Sequence, residues 1–139
     1  MSEEVSNGGA PVKVSCAIIE EGEKILVARR GAQQSQAGLW EFPGGKVDLN
    51  ETAEEALVRE LQEELGIYVA VERSLTPVVH SYPTLYIELI PFVCRIVRGK
   101  PYPHEHSEIL WLHPVSASTL DWAPADIPIL EEYLSRHLS

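Results

Sequence analysis

The sequence predicts an α/β (α+β) fold, a mixed β-sheet sandwiched between α-helices, on three observations. Apolar, β-branched runs of strand length lie on both sides of the middle of the chain; an amphipathic helix with both ends marked lies between them; a second amphipathic segment closes the sequence. The order strands, helix, strands, helix suits one sheet covered by helices, and 139 residues suffice for one such domain but not for two.

Residues 1–10 are small and polar, with Gly8-Gly9 near their end, the composition of a disordered N-terminal segment; residues 11–139 form the expected domain. Residues 12–19 (VKVSCAII) and 25–28 (ILVA) read as the strands of a hairpin, with the turn composition EEGEK between them. After Arg29-Arg30, residues 31–38 (GAQQSQAG) form a loop, and 39–42 (LWEF) a short strand stopped by Pro43-Gly44-Gly45, which presents bare backbone. A helix starts at Thr52, which forms a capping box with Glu55, and stops at Gly66. Between these ends Ala53, Ala56, Leu57, Leu61 and Leu65 make one apolar stripe. Residues 68–73 and 86–97 read as strands, with a turn over 80–84 (HSYPT), because Pro83 is poorly suited to a central strand. Residues 99–107 (GKPYPHEHS) are loop by composition, 108–112 (EILWL) a short strand, and 127–138 a closing helix.

Composition narrows the class of partner. Apolar residues make up 45% of the chain and charged residues 23%, so it is globular. Eleven Lys and Arg stand against 21 Asp and Glu, a formal charge of −10 that disfavours any nucleic-acid polymer held by its phosphate charge. A small phosphorylated molecule stays possible if divalent cations bridge it to the protein's carboxylates. Cys16 and Cys94 lie in apolar runs without metal-ligand spacing and read as buried free thiols, which fits a reducing cytoplasm. With no basic-then-apolar leader and no apolar run near the roughly 20 residues of a membrane span, the expected location is cytoplasmic, with no membrane partner. A monomer is the default and a homodimer stays open, with Trp40, Trp111 and Trp122 assignable to core, pocket or interface.

On the central helix Glu60, Glu63 and Glu64 fall at i, i+3 and i+4, so three carboxylates share one face near a C-terminus, where the helix dipole also disfavours negative charge. Such a breach of local rules is expected at functional sites, and a hard cation such as Mg²⁺ would relieve it. The alternative is a solvated acidic face.

The surrounding pattern decides for function. Gly45, five residues, Glu51, seven residues, Arg59-Glu60-Leu61, one residue, Glu63-Glu64, one residue, Gly66-Ile67: this segment, GKVDLNETAEEALVRELQEELGI, resembles the Nudix box at every fixed position. The resemblance implies a Nudix hydrolase, cleaving a nucleoside diphosphate linked to another group. It also implies that Glu60, Glu63 and Glu64, with the Gly44 carbonyl, hold Mg²⁺ or Mn²⁺, that Arg59 orients Glu60, and that Glu51 anchors the loop. For Glu51 and Arg59 the alternative is an ordinary salt bridge. Gly44, Gly45 and Lys46 would meet the phosphates, Lys46 contacting one or steering the attacking water; the alternative for Lys46 is a solvated side chain.

Three further segments, residues 36–42 (QAGLWEF), 104–106 (HEH) and 123–128 (APADIP), make the chain similar to the MutT-like branch and, within it, to bacterial cytidine triphosphate pyrophosphohydrolases. In that likeness Glu105 completes the metal site and is a candidate general base; read without it, Glu105 is surface loop. His104 and His106 read as loop histidines, since an oxygen-rich cluster favours Mg²⁺ over a transition metal. Arg30 would lie by the nucleotide, with Arg29 facing solvent. Phe42 would stack on the base or else be a core aromatic. Asp126 stands where guanine-sanitising relatives carry asparagine. Ionised, it would accept from the cytosine amino group and repel the O6 of a guanine; with a raised pKa it would donate instead; its alternative role is a helix N-cap. The loop Gln34-Ser35-Gln36 lacks a histidine that guanine-selective relatives carry.

The expected activity is therefore a metal-dependent nucleoside triphosphate pyrophosphohydrolase that releases a nucleoside monophosphate and pyrophosphate, on (d)CTP or a modified cytidine nucleotide. The alternatives are an 8-oxo-dGTP diphosphatase, then a nucleotide-sugar or ADP-ribose hydrolase, then a nucleotide sensor without catalysis.

Overall fold

The computed structural model describes residues 10–138, so all but Ala10 of the expected disordered segment lies outside the described residues. Among the described residues eight strands form one mixed sheet. β1 (Val12–Glu21) and β2 (Lys24–Arg29) make the expected hairpin, turning at Gly22-Glu23, where Gly22 has φ +63°. β3 (Trp40–Glu41) pairs with β2, and β4 (Gly44–Lys46) with β1. After α1 (Ala53–Leu65) come β5 (Tyr68–Ser74), β6 (Val78–Tyr82) and β7 (Leu85–Arg98). The chain ends with β8 (Glu108–Leu112), the single turn α2 (Pro114–Ala117), a 3-10 turn at Pro124–Asp126 and α3 (Ile127–Leu138).

The strands run β3-β2-β1-β7-β5, with β8 also pairing β2 and β6 pairing β7. β1 and β7 are parallel, from Val12 opposite Ile87 to Glu20 opposite Arg95, and the other pairs are antiparallel. Alternation along the central strands feeds two cores. Cys16, Ile18, Ile25, Val27 and Val93 face Ile129, Leu130 and Tyr133 of α3; Ala17, Ile19, Leu26, Phe92 and Cys94 face Leu57, Leu61 and Leu65 of α1. Each of those three buried leucines contributes about 2 kcal/mol. The sandwich of sheet between helices is thus the one expected, and both cysteines are free and buried.

α1 keeps its expected ends. The Thr52 hydroxyl accepts from the Glu55 amide at 3.1 Å, the Glu55 carboxylate accepts from the Thr52 amide at 2.8 Å, and Gly66, at φ +72°, donates to the Gln62 carbonyl at 3.0 Å.

Two local expectations are corrected. The segment 80–84 is not all turn: His80, Ser81 and Tyr82 pair with Ile87, Tyr86 and Leu85, leaving Pro83 and Thr84 at the tip, where a proline needs no ladder partner. Gly44-Gly45 is not bare backbone, since these residues pair with Cys16 and Ser15. Glycine is required there by close approach, because a Cβ on Gly44 would run into the Ser15 carbonyl. The α2 turn and the 3-10 turn were not expected from the sequence.

Candidate active site

The acidic face of α1 is fixed against β1 and β4. The Ser15 hydroxyl donates to the Ala53 carbonyl at 2.6 Å, tying the first turn of α1 to the sheet. A Cβ on Gly45 would run into the Glu60 carboxyl, so the glycine leaves room for that side chain. Arg59 gathers the charges around it. Its guanidinium grips Glu51 with two bonds, Nη2 to Oε1 at 2.7 Å and Nε to Oε2 at 3.2 Å. It also reaches Glu60 at 3.1 Å, Glu63 at 3.3 Å and the Lys46 carbonyl at 3.1 Å. Glu51 accepts in turn from the Asp48 amide at 2.8 Å. The hydrogen bonds from Arg59 hold the Glu51 carboxyl below its usual range. The salt-bridge reading and the loop-anchor reading of Glu51 and Arg59 therefore describe the same contacts.

Glu64 differs from its neighbours. It is buried and accepts a backbone hydrogen bond from Gly44, and its Oε1 is buried without a hydrogen-bond partner among the described residues. Burial first, then the charges of Glu105, Glu41 and Glu60, push its pKa up to about 9. Burial also raises Glu60, against the pull of Arg59. Glu60 and Glu63 turn to Arg59, and among the described residues no three His, Cys, Asp or Glu side chains converge as a metal site. The donors are nonetheless all oxygens, and the orphaned oxygen of Glu64 amid like charges fits a hard dication.

A cavity of about 400 Å³ extends from this face across β1. Glu64, Gly44, Gly45 and the exposed Lys46 line one part of it, and Arg30, Phe42 and Asp126 line the rest. Phe42 is buried and rests against Trp122, ring centroids 4.7 Å apart, so it is both a core residue and a wall of the cavity. Arg30 donates to Glu41 at 2.7 Å and to the Ser35 carbonyl at 2.5 Å, while Arg29 is exposed, as expected.

Asp126 is buried, and its Oδ2 accepts from the Phe42 amide at 2.8 Å, a contact across the fold that the N-cap reading did not contain. Burial first, then the charge of Glu41, push its pKa well up, against the Phe42 amide and Arg30. That direction favours the neutral acid. Such an acid donates from Oδ1 while Oδ2 accepts, which removes the repulsion of guanine O6 expected of an ionised Asp126. Tyr82, which sequence reasoning did not single out, accepts from the Ala125 amide at 3.0 Å and lines the cavity beside Asp126.

Glu105 is exposed in the loop after β7, and its charge acts on Glu64 and Glu60. The exposed His104 stacks edge-on to Tyr102, at 5.0 Å between centroids, in keeping with a loop histidine. His106 is different: it is buried, and its Nε2 lies 2.8 Å from Glu41 Oε2. Glu41 was assigned no role from the sequence and His106 only that of a loop histidine, and the one available signal for their contact was their position beside Phe42 and Glu105.

Comparison with known proteins agrees with this geometry. The model of the NUDIX domain family matches residues 14–132. The chain is 43% identical over 124 residues, 89% of its length and 92% of the relative's, to the CTP pyrophosphohydrolase of Escherichia coli K12. It is 34% identical to the 8-oxo-dGTP diphosphatase of the same organism, over 81% of this chain and 88% of that protein. The solution structure of the E. coli ORF135 protein superposes with a TM-score of 0.78 at 42% identity, covering 89% of each chain.

Proposed function

We propose, from the premise that this chain belongs to the NUDIX domain family and is one of its hydrolases, that it is a divalent-metal-dependent nucleoside triphosphate pyrophosphohydrolase acting on a cytidine nucleotide. The observation that carries the reading is the continuity of one cavity: the buried acid Glu64, whose Oε1 has no hydrogen-bond partner among the described residues, lines it together with the buried acid Asp126. A nucleotide spanning the two would present phosphates to one end and a base to the other.

Glu60, Glu63, Glu64 and Glu105, with the Gly44 carbonyl, would hold Mg²⁺ or Mn²⁺. When bound, the metal neutralises phosphate charge and lowers the pKa of water. Glu105 takes the proton of the attacking water as its oxygen bonds to the β-phosphorus. The bridging oxygen departs with the nucleoside monophosphate, and pyrophosphate is the second product. Lys46 meets the phosphates beside Gly44 and Gly45, Arg59 holds Glu60, and Glu51 holds Arg59. Phe42 offers the base a face, Asp126 reads its edge, and Arg30 stands at the side of the cavity. Two buried free thiols fit a reducing cytoplasm.

Similarity to a CTP pyrophosphohydrolase supports cytidine, as does the absence of a histidine from Gln34-Ser35-Gln36, which lines the cavity. A second reading, 8-oxo-dGTP, is supported by the similarity to an 8-oxo-dGTP diphosphatase, and the upward shift of Asp126 removes the repulsion that would oppose it. A neutral acid pairs its O–H with cytosine N3 and its carbonyl with the amino group, and it pairs equally with guanine O6 and N1–H. The test is Mg²⁺-dependent turnover of CTP, dCTP, 5-methyl-dCTP, 8-oxo-dGTP, ADP-ribose and a nucleotide sugar, with products separated. Fastest conversion of a cytidine triphosphate to monophosphate and pyrophosphate is expected. A faster reaction with 8-oxo-dGTP would replace the substrate, and silence across the panel would remove the activity.

A further inference from the structure

We infer that His106 is a positioning residue for catalysis: by holding Glu41 from the buried side of the loop, it fixes where Glu105 stands relative to Glu64. The inference rests on the proposed role of Glu105 as the group that takes the proton.

The loop between β7 and β8 is stitched to two different elements. Before Glu105, the Tyr102 and His104 amides donate to the Leu65 and Glu64 carbonyls, at 3.0 and 3.2 Å, so this part follows the C-terminus of α1. After it, the Ser107 amide donates to the Arg29 carbonyl at 2.9 Å, so the exit follows the end of β2. Glu105 is exposed where the loop passes from one element to the other, and the next side chain points inward. The His106 ring is 1% exposed, and its Nε2 lies 2.8 Å from Glu41 Oε2.

Glu41 is a stiff partner. It stands on β3, opposite Ala28 of β2, and its other oxygen accepts from Arg30 at 2.7 Å. A carboxylate already paired with a guanidinium accepts only, so Nε2 of His106 is the donor. Its Nδ1 is buried without a hydrogen-bond partner among the described residues, so the hydrogen bond that orients this ring runs through Nε2. A group misplaced by about 1 Å loses on the order of a hundredfold in rate, so a fixed neighbour matters to an otherwise exposed carboxylate.

The test uses the full chain, with a cytidine triphosphate as substrate and melting temperature recorded for every variant. In His106→Ala, kcat should fall about ten- to a hundredfold with KM changed by less than about threefold. His106→Gln, whose amide nitrogen reaches the position of Nε2, should restore most of kcat. His106→Asn, whose amide reaches only the position of Nδ1, should not. A double-mutant cycle separates positioning from folding: in a Glu105→Gln background, His106→Ala should cost less than about twofold.

An unchanged kcat in folded His106→Ala, or equal rates for the Gln and Asn variants, would overturn the inference. The same holds if His106→Ala costs as much with Glu105→Gln as without it, and in that case Glu105 keeps its role. Wild-type kcat in Glu105→Gln alone would instead remove the role of Glu105, and the inference with it.

Discussion

Glu64 and Asp126 are both buried carboxyls whose pKa burial raises, and both line one cavity, yet their surroundings differ. Glu64 keeps an oxygen without a partner amid the charges of Glu105, Glu41 and Glu60, whereas Asp126 keeps one oxygen on the Phe42 amide and has Arg30 nearby to offset Glu41. The first arrangement fits the proposed cation. The second has one oxygen engaged by a backbone amide and lines the same cavity, as the proposed base reader would. Burial alone thus does not define a site; what each carboxyl lacks does.

The largest expected effect breaks the Glu64 side. Glu64→Gln removes the charge at constant shape and should lower kcat at least about a hundredfold, measured by pyrophosphate release under saturating Mg²⁺. A rate within about threefold of wild type would show that the buried oxygen plays no part in the reaction.

The next sharpens the Asp126 side. Asn at this position keeps an acceptor for the Phe42 amide and adds N–H donors, so it imitates the neutral acid. Asp126→Asn should leave the ratio of specificity constants for CTP and 8-oxo-dGTP within about threefold. A shift of more than about tenfold toward 8-oxo-dGTP would mean that an ionised carboxylate reads the base.

Stability against pH tests the two acids together. An acid whose folded pKa exceeds its unfolded value contributes stability that is fully present below the unfolded pKa and lost as pH rises through the folded one. For Glu64 that window runs from 4.5 to about 9, and Asp126 acts in the same direction from 3.8 upward. In the absence of divalent cations the melting temperature should therefore fall from about pH 5 to about pH 9. Glu64→Gln should flatten that slope; a slope unchanged in the variant would deny that the raised pKa belongs to Glu64.

A further expected effect concerns Arg59. Its two-bond grip on Glu51 needs a planar fork, so Arg59→Lys should lower kcat about tenfold with little change in melting temperature. An unaffected kcat would leave the grip as structure alone.

The sequence showed these two ends unequally, for a physical reason. The α1 carboxylates lie within one helical turn, so the 3.6-residue period put Glu60, Glu63 and Glu64 on one face, and Thr52 and Gly66 marked the ends of the helix. The Asp126 end of the cavity is built from distant segments. The bond between Phe42 and Asp126 spans 84 residues and that between Glu41 and His106 spans 65, separations that no local pattern encodes. His106 consequently read as a loop histidine. β4 was missed because glycine disfavours strands, although only glycine permits the approach to Ser15 there. The strand part of 80–84 was missed because Pro83 lies one residue beyond the last residue of β6.

The contrast between the two acids is tested most directly by calorimetric titration of Mg²⁺ into the wild type, Glu64→Gln and Asp126→Asn, in buffers of different ionisation enthalpy. The wild type should bind Mg²⁺ with release of protons near neutral pH, Glu64→Gln should lose most of both affinity and proton release, and Asp126→Asn should match the wild type. Unaltered binding in Glu64→Gln, or binding abolished in Asp126→Asn, would contradict the assignment of the cation to one carboxyl and the base to the other.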